Sequence, residues 1–157
     1  KTSRQVLFIA LIVSVAGFAS NMLRSDKLPL FDDWSAKSNL VTSSGENLEI
    51  SLADASKLFM EKRSVFIDAR SKEEYEKGHI KGAISLPYKE ADWKFVDAMA
   101  GVPEESAIIT YCDGETCELS MELMVFLRNA GYKNIRVLSN GWSVWQQNGL
   151  PVETGER

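Results

Sequence analysis

Residues 107–127 read AIITYCDGETCELSMELMVFL, and this stretch decides the fold. Ala107 to Tyr111 is an apolar, partly β-branched run of the kind that forms a buried strand. A short polar loop holding Cys112, Gly114 and Cys117 follows. Leu119, Leu123, Phe126, Leu127 and Ala130 then recur at helical spacing, which predicts a helix with one buried face. A thiol between the carboxyl end of a strand and the amino end of a helix lies where open α/β sheets place their ligands. Unpaired backbone N–H groups and the positive end of the helix dipole stabilise a thiolate there. Cys112 is therefore the leading nucleophile candidate, and a buried structural cysteine is the competing reading.

On both sides of this unit, strand and helix signals alternate. Leu48–Ile50 reads as a short strand, and Ser51 with Asp54 caps a helix running to about Lys62, with Leu52, Ala55, Leu58 and Phe59 facing inward. Val65–Ala69 is a β-branched buried strand. Ser71 with Glu74 forms a capping box, opening a short helix that Gly78 ends. Ala83–Leu86 reads as a strand closed by Pro87, and Ala91–Met99 as a helix ended by Gly101 and Pro103. Beyond the central unit come a strand at Ile135–Leu138 and a helix at Trp142–Asn148, stopped by Gly149 and Pro151. Such alternation implies a parallel sheet with helices on both faces.

Residues 1–27 are a different polymer. Val6–Leu23 is 18 residues without a charge, flanked by Lys1 and Arg4 on one side and Arg24 and Lys27 on the other. As a helix it would span about 27 Å, enough for a hydrocarbon core. This segment reads as an uncleaved single-span anchor. The alternatives are a secretory signal peptide cleaved after Ala19 and a buried soluble helix. Flanking charges are nearly balanced and leave the orientation open, with an extracytoplasmic or periplasmic domain as one outcome. Leu28, Pro29, Leu30, Phe31 and Trp34 suit a membrane interface, and Ser35–Asn47 reads as a polar linker. The expected organisation is thus an anchor over 1–27, a linker over 28–47 and a folded domain over 48–157.

Composition narrows the chemistry. Residues 28–157 carry 14 Lys and Arg against 21 Asp and Glu, which argues against a nucleic-acid partner. One histidine and two cysteines make no convincing zinc site, and two cysteines are too few for a disulfide scaffold. No glycine-rich nucleotide loop is present, so no cofactor is expected.

Three stretches together resemble a known family: IDARSKEEYEKGHIKGAISLP (67–87), ITYCDGETCELS (109–120) and LRNAGYKNIRVLSNGWSVWQQNGLPV (127–152). In order and spacing they are similar to a single rhodanese domain spanning Leu48 to Thr154. The chain also resembles a bacterial subset of membrane-anchored rhodaneses, whose loop reads Cys-x4-Cys-x2-Ser and whose anchor precedes a Leu-Pro-Leu segment. The resemblance implies a five-stranded parallel sheet flanked by helices and a cysteine that accepts sulfane sulfur. Cys112 would take that sulfur as a persulfide and pass it to cyanide, a small thiol or a protein thiol. The backbone of the loop Asp113, Gly114, Glu115, Thr116, Cys117 and Glu118 would cradle the persulfide's charge, with Gly114 allowing a tight curl. Asp68 and Arg70, ending a strand at the same sheet edge, would brace the loop, with a surface ion pair as the competing reading.

Departures from the family pattern carry expectations of their own. Many such loops hold an Arg or Lys that attracts anionic donors, whereas this one holds Asp113, Glu115 and Glu118. These carboxylates should disfavour doubly negative thiosulfate and raise the thiol pKa, so a polysulfide or a thiol persulfide is the expected donor. Without a Cys-x5-Arg signature, phosphatase chemistry lacks its phosphate clamp. Asn140 stands where a Gly often precedes Gly-Trp, and Asn tolerates the left-handed region, so little consequence is expected.

Four further residues have two readings each. Cys117 either resolves a Cys112 persulfide into a disulfide or packs as a thiol at the first helical turn. His79 is either a general base or, as more often in this motif, a hydrogen-bond partner of the turn. Trp142 and Trp145 read either as a cofactor platform or, the favoured reading, as core and pocket-wall packing. Three functions remain in view: a sulfurtransferase working through Cys112, a binding or regulatory module with little turnover, and a thiol–disulfide protein using Cys112 and Cys117.

Overall fold

A computed structural model describes residues 5, 6, 47–114 and 118–155. The chain divides into two compact units, Lys1–Asp33 and Trp34–Arg157, and the domain below belongs to the second. Apart from Gln5 and Val6, the expected anchor lies outside the described residues, as does most of the linker. Among the described residues no helix is long and apolar enough to cross a membrane.

In chain order the elements are α1 (Leu52–Met60), β1 (Val65–Asp68), α2 (Lys72–Lys77), β2 (His79–Ile80) and β3 (Ile84–Ser85). A 3-10 turn at Tyr88–Glu90 leads into α3 (Ala91–Ala98). Then follow β4 (Ile108–Tyr111), α4 (Leu119–Asn129), β5 (Ile135–Leu138), α5 (Gly141–Gln147) and β6 (Val152–Glu153). The main sheet has the order β3-β1-β4-β5, and every pairing in it is parallel.

The side-chain period of a strand explains both layers of the core. On one face Ile67, Ile108, Ile135 and Val137 pack with Leu123, Met124 and Leu127 of α4 and with Ala91 of α3. On the other Phe66, Ile109, Tyr111 and Leu138 pack with Ala55 of α1, Tyr75 of α2 and Trp145 of α5. With helices over both faces, all four residues of β4 are buried, which is why its sequence is a continuous apolar run rather than an alternation. Rings of Phe59, Phe66 and Trp145 meet edge-to-face at 5.1–5.8 Å and close the second layer.

Local signals produced the expected helix starts. Ser51 accepts from the Asp54 backbone N–H, and Ser71 with Glu74 makes both bonds of a capping box. The sheet is narrower than expected. Leu48–Ile50 joins β5 by one parallel bridge, Glu49 to Val137, fixed by two backbone hydrogen bonds of 2.9 Å, so among the described residues the main sheet has four strands and not five. The strand expected over Ala83–Leu86 contracts to β3, since Pro87 removes the next ladder donor. A two-stranded antiparallel ribbon, β2 with β6, was not anticipated, because elements of two residues carry no periodicity.

Register positions the site. Asp68, Tyr111 and Leu138 stand side by side at the carboxyl ends of β1, β4 and β5, so the chain after each emerges at one edge.

Candidate active site

Cys112 is the first residue after β4 and is 1% exposed. Its carbonyl accepts from the Trp142 backbone N–H at 3.0 Å, which ties the strand end to the start of α5. Its Sγ lies 3.2 Å from Ser120 Oγ on the first turn of α4. In this structure Cys112 is disulfide-bonded. Glu115, Thr116 and Cys117, the last of them with its two readings as resolving or packed thiol, lie outside the described residues.

The described part of the loop is held from α5. Asp113 and Gly114 are exposed, and Gly114 takes a φ of +89°, the conformation its lack of a side chain permits. Ser143 Oγ–H donates to Asp113 Oδ1 at 2.6 Å. The Gly114 N–H, expected to face a persulfide, is instead shared between Asp113 Oδ1 at 3.0 Å and Asn140 Oδ1 at 3.1 Å. Glu118 occupies the N-cap of α4 in a helical conformation without a side-chain cap bond, and it is exposed.

Asn140 takes the left-handed conformation, with φ at 49°, as its residue type allows. That its side chain also anchors the loop was not foreseen, and a glycine there could not do so. Replacing Asn140 with Gly should change stability by no more than about 0.5 kcal/mol, because the easier backbone offsets the lost bond. Exchange of the Gly114 amide should nonetheless speed up several-fold, as read by NMR hydrogen exchange.

Asp68 and Arg70 form a buried, forked pair. Asp68 is 0% and Arg70 4% exposed. Arg70 Nη2 lies 2.6 Å from Asp68 Oδ2, Nε donates to the same carboxylate, and Nη2 also reaches the Gly78 carbonyl at 2.7 Å. Burial would lower the Arg70 pKa, but the hydrogen bond to Asp68 and its charge outweigh that and hold it above the ordinary value. The guanidinium lies 4.7 Å from the Trp142 ring and 5.8 Å from that of Tyr111. Arg70 thus reaches Cys112 indirectly: Tyr111 precedes it in the chain, and Trp142 binds its carbonyl. Burial, followed by the charge of Asp68, pushes the Tyr111 hydroxyl well above its usual range, so at neutral pH it is an uncharged phenol that accepts from Ile80 N–H.

The His79 side chain bonds to other groups, although Gly78 and Ile80 on either side of it bond to Arg70 and Tyr111. It is 2% exposed, its Nδ1 is 2.7 Å from the Tyr75 carbonyl, its Nε2 is 3.3 Å from Glu153 Oε1, and its ring stacks on Tyr75. Both nitrogens are engaged in holding α2, β2 and β6 together, so the turn-bonding reading fits the geometry and the general-base reading does not. Trp145 is fully buried, and Trp142 is half-buried between Arg70 and Gly78.

A model of the rhodanese-like domain matches residues 51–148. The chain belongs to the rhodanese-like domain family. Over 89 residues this rhodanese-like chain is 35% identical to the HTH-type transcriptional regulator Rv0324 of Mycobacterium tuberculosis, covering 57% of the chain and 37% of that protein. It is 26% identical over 98 residues to thiosulfate sulfurtransferase 16, chloroplastic, of Arabidopsis thaliana, covering 56% of the chain and 78% of that protein. Among solved structures, the BH2092 protein of Bacillus halodurans matches with a TM-score of 0.60 at 27% identity, over 68% of this chain and 76% of the other.

Proposed function

We propose that this rhodanese-like chain is a sulfurtransferase carrying sulfane sulfur as a persulfide on Cys112. The observation that supports this reading is the placement of Cys112, a buried cysteine at the carboxyl edge of the sheet in a family that includes a thiosulfate sulfurtransferase. Loading proceeds by attack of the Cys112 thiolate on the terminal sulfur of a donor, which leaves as the shortened sulfide or thiolate. An acceptor thiolate then takes the outer sulfur and returns Cys112 to its thiolate. Exposed Asp113 and Glu118 favour a polysulfide or a thiol persulfide over thiosulfate as donor. In this proposal Val6–Leu23 tethers the domain to a membrane.

The disulfide at Cys112 favours a second reading, in which the loop works as a thiol–disulfide element. A Cys112 persulfide attacked by the Cys117 thiolate would give the intramolecular disulfide and release hydrogen sulfide, a balanced step needing no external oxidant.

The test is the intact mass of the reduced full chain after incubation with polysulfide or with thiosulfate, beside Cys112→Ser and Cys117→Ser. The expected result is a gain of one sulfur from polysulfide, little from thiosulfate, and complete loss of the gain in Cys112→Ser. Loss of two hydrogens that requires both cysteines would favour the redox reading. An unchanged mass would leave a binding module.

A further inference from the structure

Ser120 has no part in the function proposed above, yet its hydroxyl is in contact with the reacting sulfur. It is 1% exposed, and its Oγ stands 3.2 Å from Cys112 Sγ. Its backbone carbonyl accepts from Thr110 Oγ1 at 2.9 Å, so the residue is pinned to the strand that delivers Cys112. A disulfide sulfur carries no proton, and neither does a thiolate. In both states the hydrogen bond therefore runs from Ser120 Oγ–H to Sγ.

We propose that Ser120 is a catalytic residue whose hydroxyl donates to Cys112 Sγ and holds the negative charge whenever that sulfur becomes a thiolate. The need for such a donor follows from the surroundings. At 1% exposure Cys112 has little water to solvate its charge. The Gly114 N–H is already bonded to Asp113 and Asn140. Titratable groups nearby work against a thiolate or leave it unaided. Asp113 and Glu118 are carboxylates on the loop and the helix start, and Tyr88 packs in the same apolar cluster. The charge of Arg70 is spent on buried Asp68, behind Tyr111 and Trp142.

One consequence rests on the sulfur-transfer reading. When an acceptor thiolate attacks the outer sulfur of a Cys112 persulfide, a new S–S bond forms on the acceptor and the Cys112 S–S bond breaks. Its electron pair remains on Sγ, where Ser120 Oγ–H receives it, so the same donor that favours the nucleophile stabilises the leaving group.

The experiment is the pH dependence of alkylation by iodoacetamide in the full chain carrying Cys117→Ser, so that Cys112 is the one cysteine present. Adding Ser120→Ala should move the midpoint upward by about one to two pH units, the equivalent of a hydrogen bond to a charged group. The rate at neutral pH should fall several-fold, while the plateau at high pH should hold or rise, since the more basic thiolate is the better nucleophile. Ser120→Thr, which keeps a hydroxyl, should restore the midpoint. Superimposable profiles would overturn the proposal. So would a uniform fall in rate with an unmoved midpoint, which marks loosened packing. Should Ser120→Ala melt early, its midpoint is read below its melting temperature by the same criteria. A moved midpoint in a protein that takes up no sulfur would uphold the donor and sink the transfer reading. Normal sulfur loading with an unmoved midpoint would sink the donor alone.

Discussion

Replacing Arg70 with alanine should destabilise the domain by about 3–5 kcal/mol, read from the urea midpoint at constant slope. The size comes from what is left behind. Asp68 is 0% exposed, and its carboxylate would keep only the Arg70 backbone N–H, at 3.0 Å, and the Tyr111 hydroxyl as donors. The Gly78 carbonyl would lose its bond, and Trp142 and Tyr111 would lose the cation between them. Arg70→Lys keeps the charge but cannot fork across the carboxylate while also reaching Gly78, so it should fall between the parent and alanine. Arg70→Ala with Asp68→Asn should recover part of the loss, because the uncompensated buried charge is gone. If Arg70→Ala costs no more than about 1 kcal/mol, the pair behaves as a surface ion pair and does not brace the site.

The contrast between pairing and bracing also marks what the sequence made legible. The strand over 108–111 was readable as a continuous apolar run, because burial on both faces demands one, and the helix after the loop by its helical period. The N-cap at Ser51 and the capping box at Ser71 were readable because capping is a contact within four residues. Asp68 and Arg70 were placed at the right sheet edge, since strand ends follow from strand positions. What was not readable depends on groups distant in sequence. Ser120 reaching Cys112, Asn140 and Ser143 reaching the loop, and β6 pairing with β2 are all set by how the layers close. The expected amide cradle failed at Gly114 for the same reason, because two side-chain acceptors compete for that N–H. The first strand shrank to one bridge because a three-residue edge segment gains little ladder.

Gly141→Ala should be among the most damaging single-methyl changes in the domain, although the residue is helical and under no conformational strain of its own. A Cβ at Gly141 would lie 2.6 Å from Tyr111 Cβ and 3.3 Å from Leu138 Cγ. The first of these atoms is fixed to the backbone of the central strand, so relief requires the start of α5 to lift from β4. Overpacking of this kind costs about 1–3 kcal/mol, and a rigid neighbour places the expected loss toward the upper end. Gly149 makes the control. It takes a φ of +64°, but a Cβ there meets nothing within 4 Å, so Gly149→Ala should cost only the conformational term of about 1 kcal/mol. Gly78→Ala is intermediate in kind, since its Cβ would meet the Trp142 ring at 2.9 Å and a ring edge can move. Reactivity at Cys112 separates Gly141 from Gly149 further. Lifting α5 stretches the Trp142 N–H bond to the Cys112 carbonyl and withdraws Asn140 and Ser143 from the loop. Gly141→Ala should therefore change the alkylation rate of Cys112 well below its melting temperature, while Gly149→Ala leaves that rate at the parent value. Equal rates in the two variants would mean that the helix start carries the fold but does not hold the reactive cysteine.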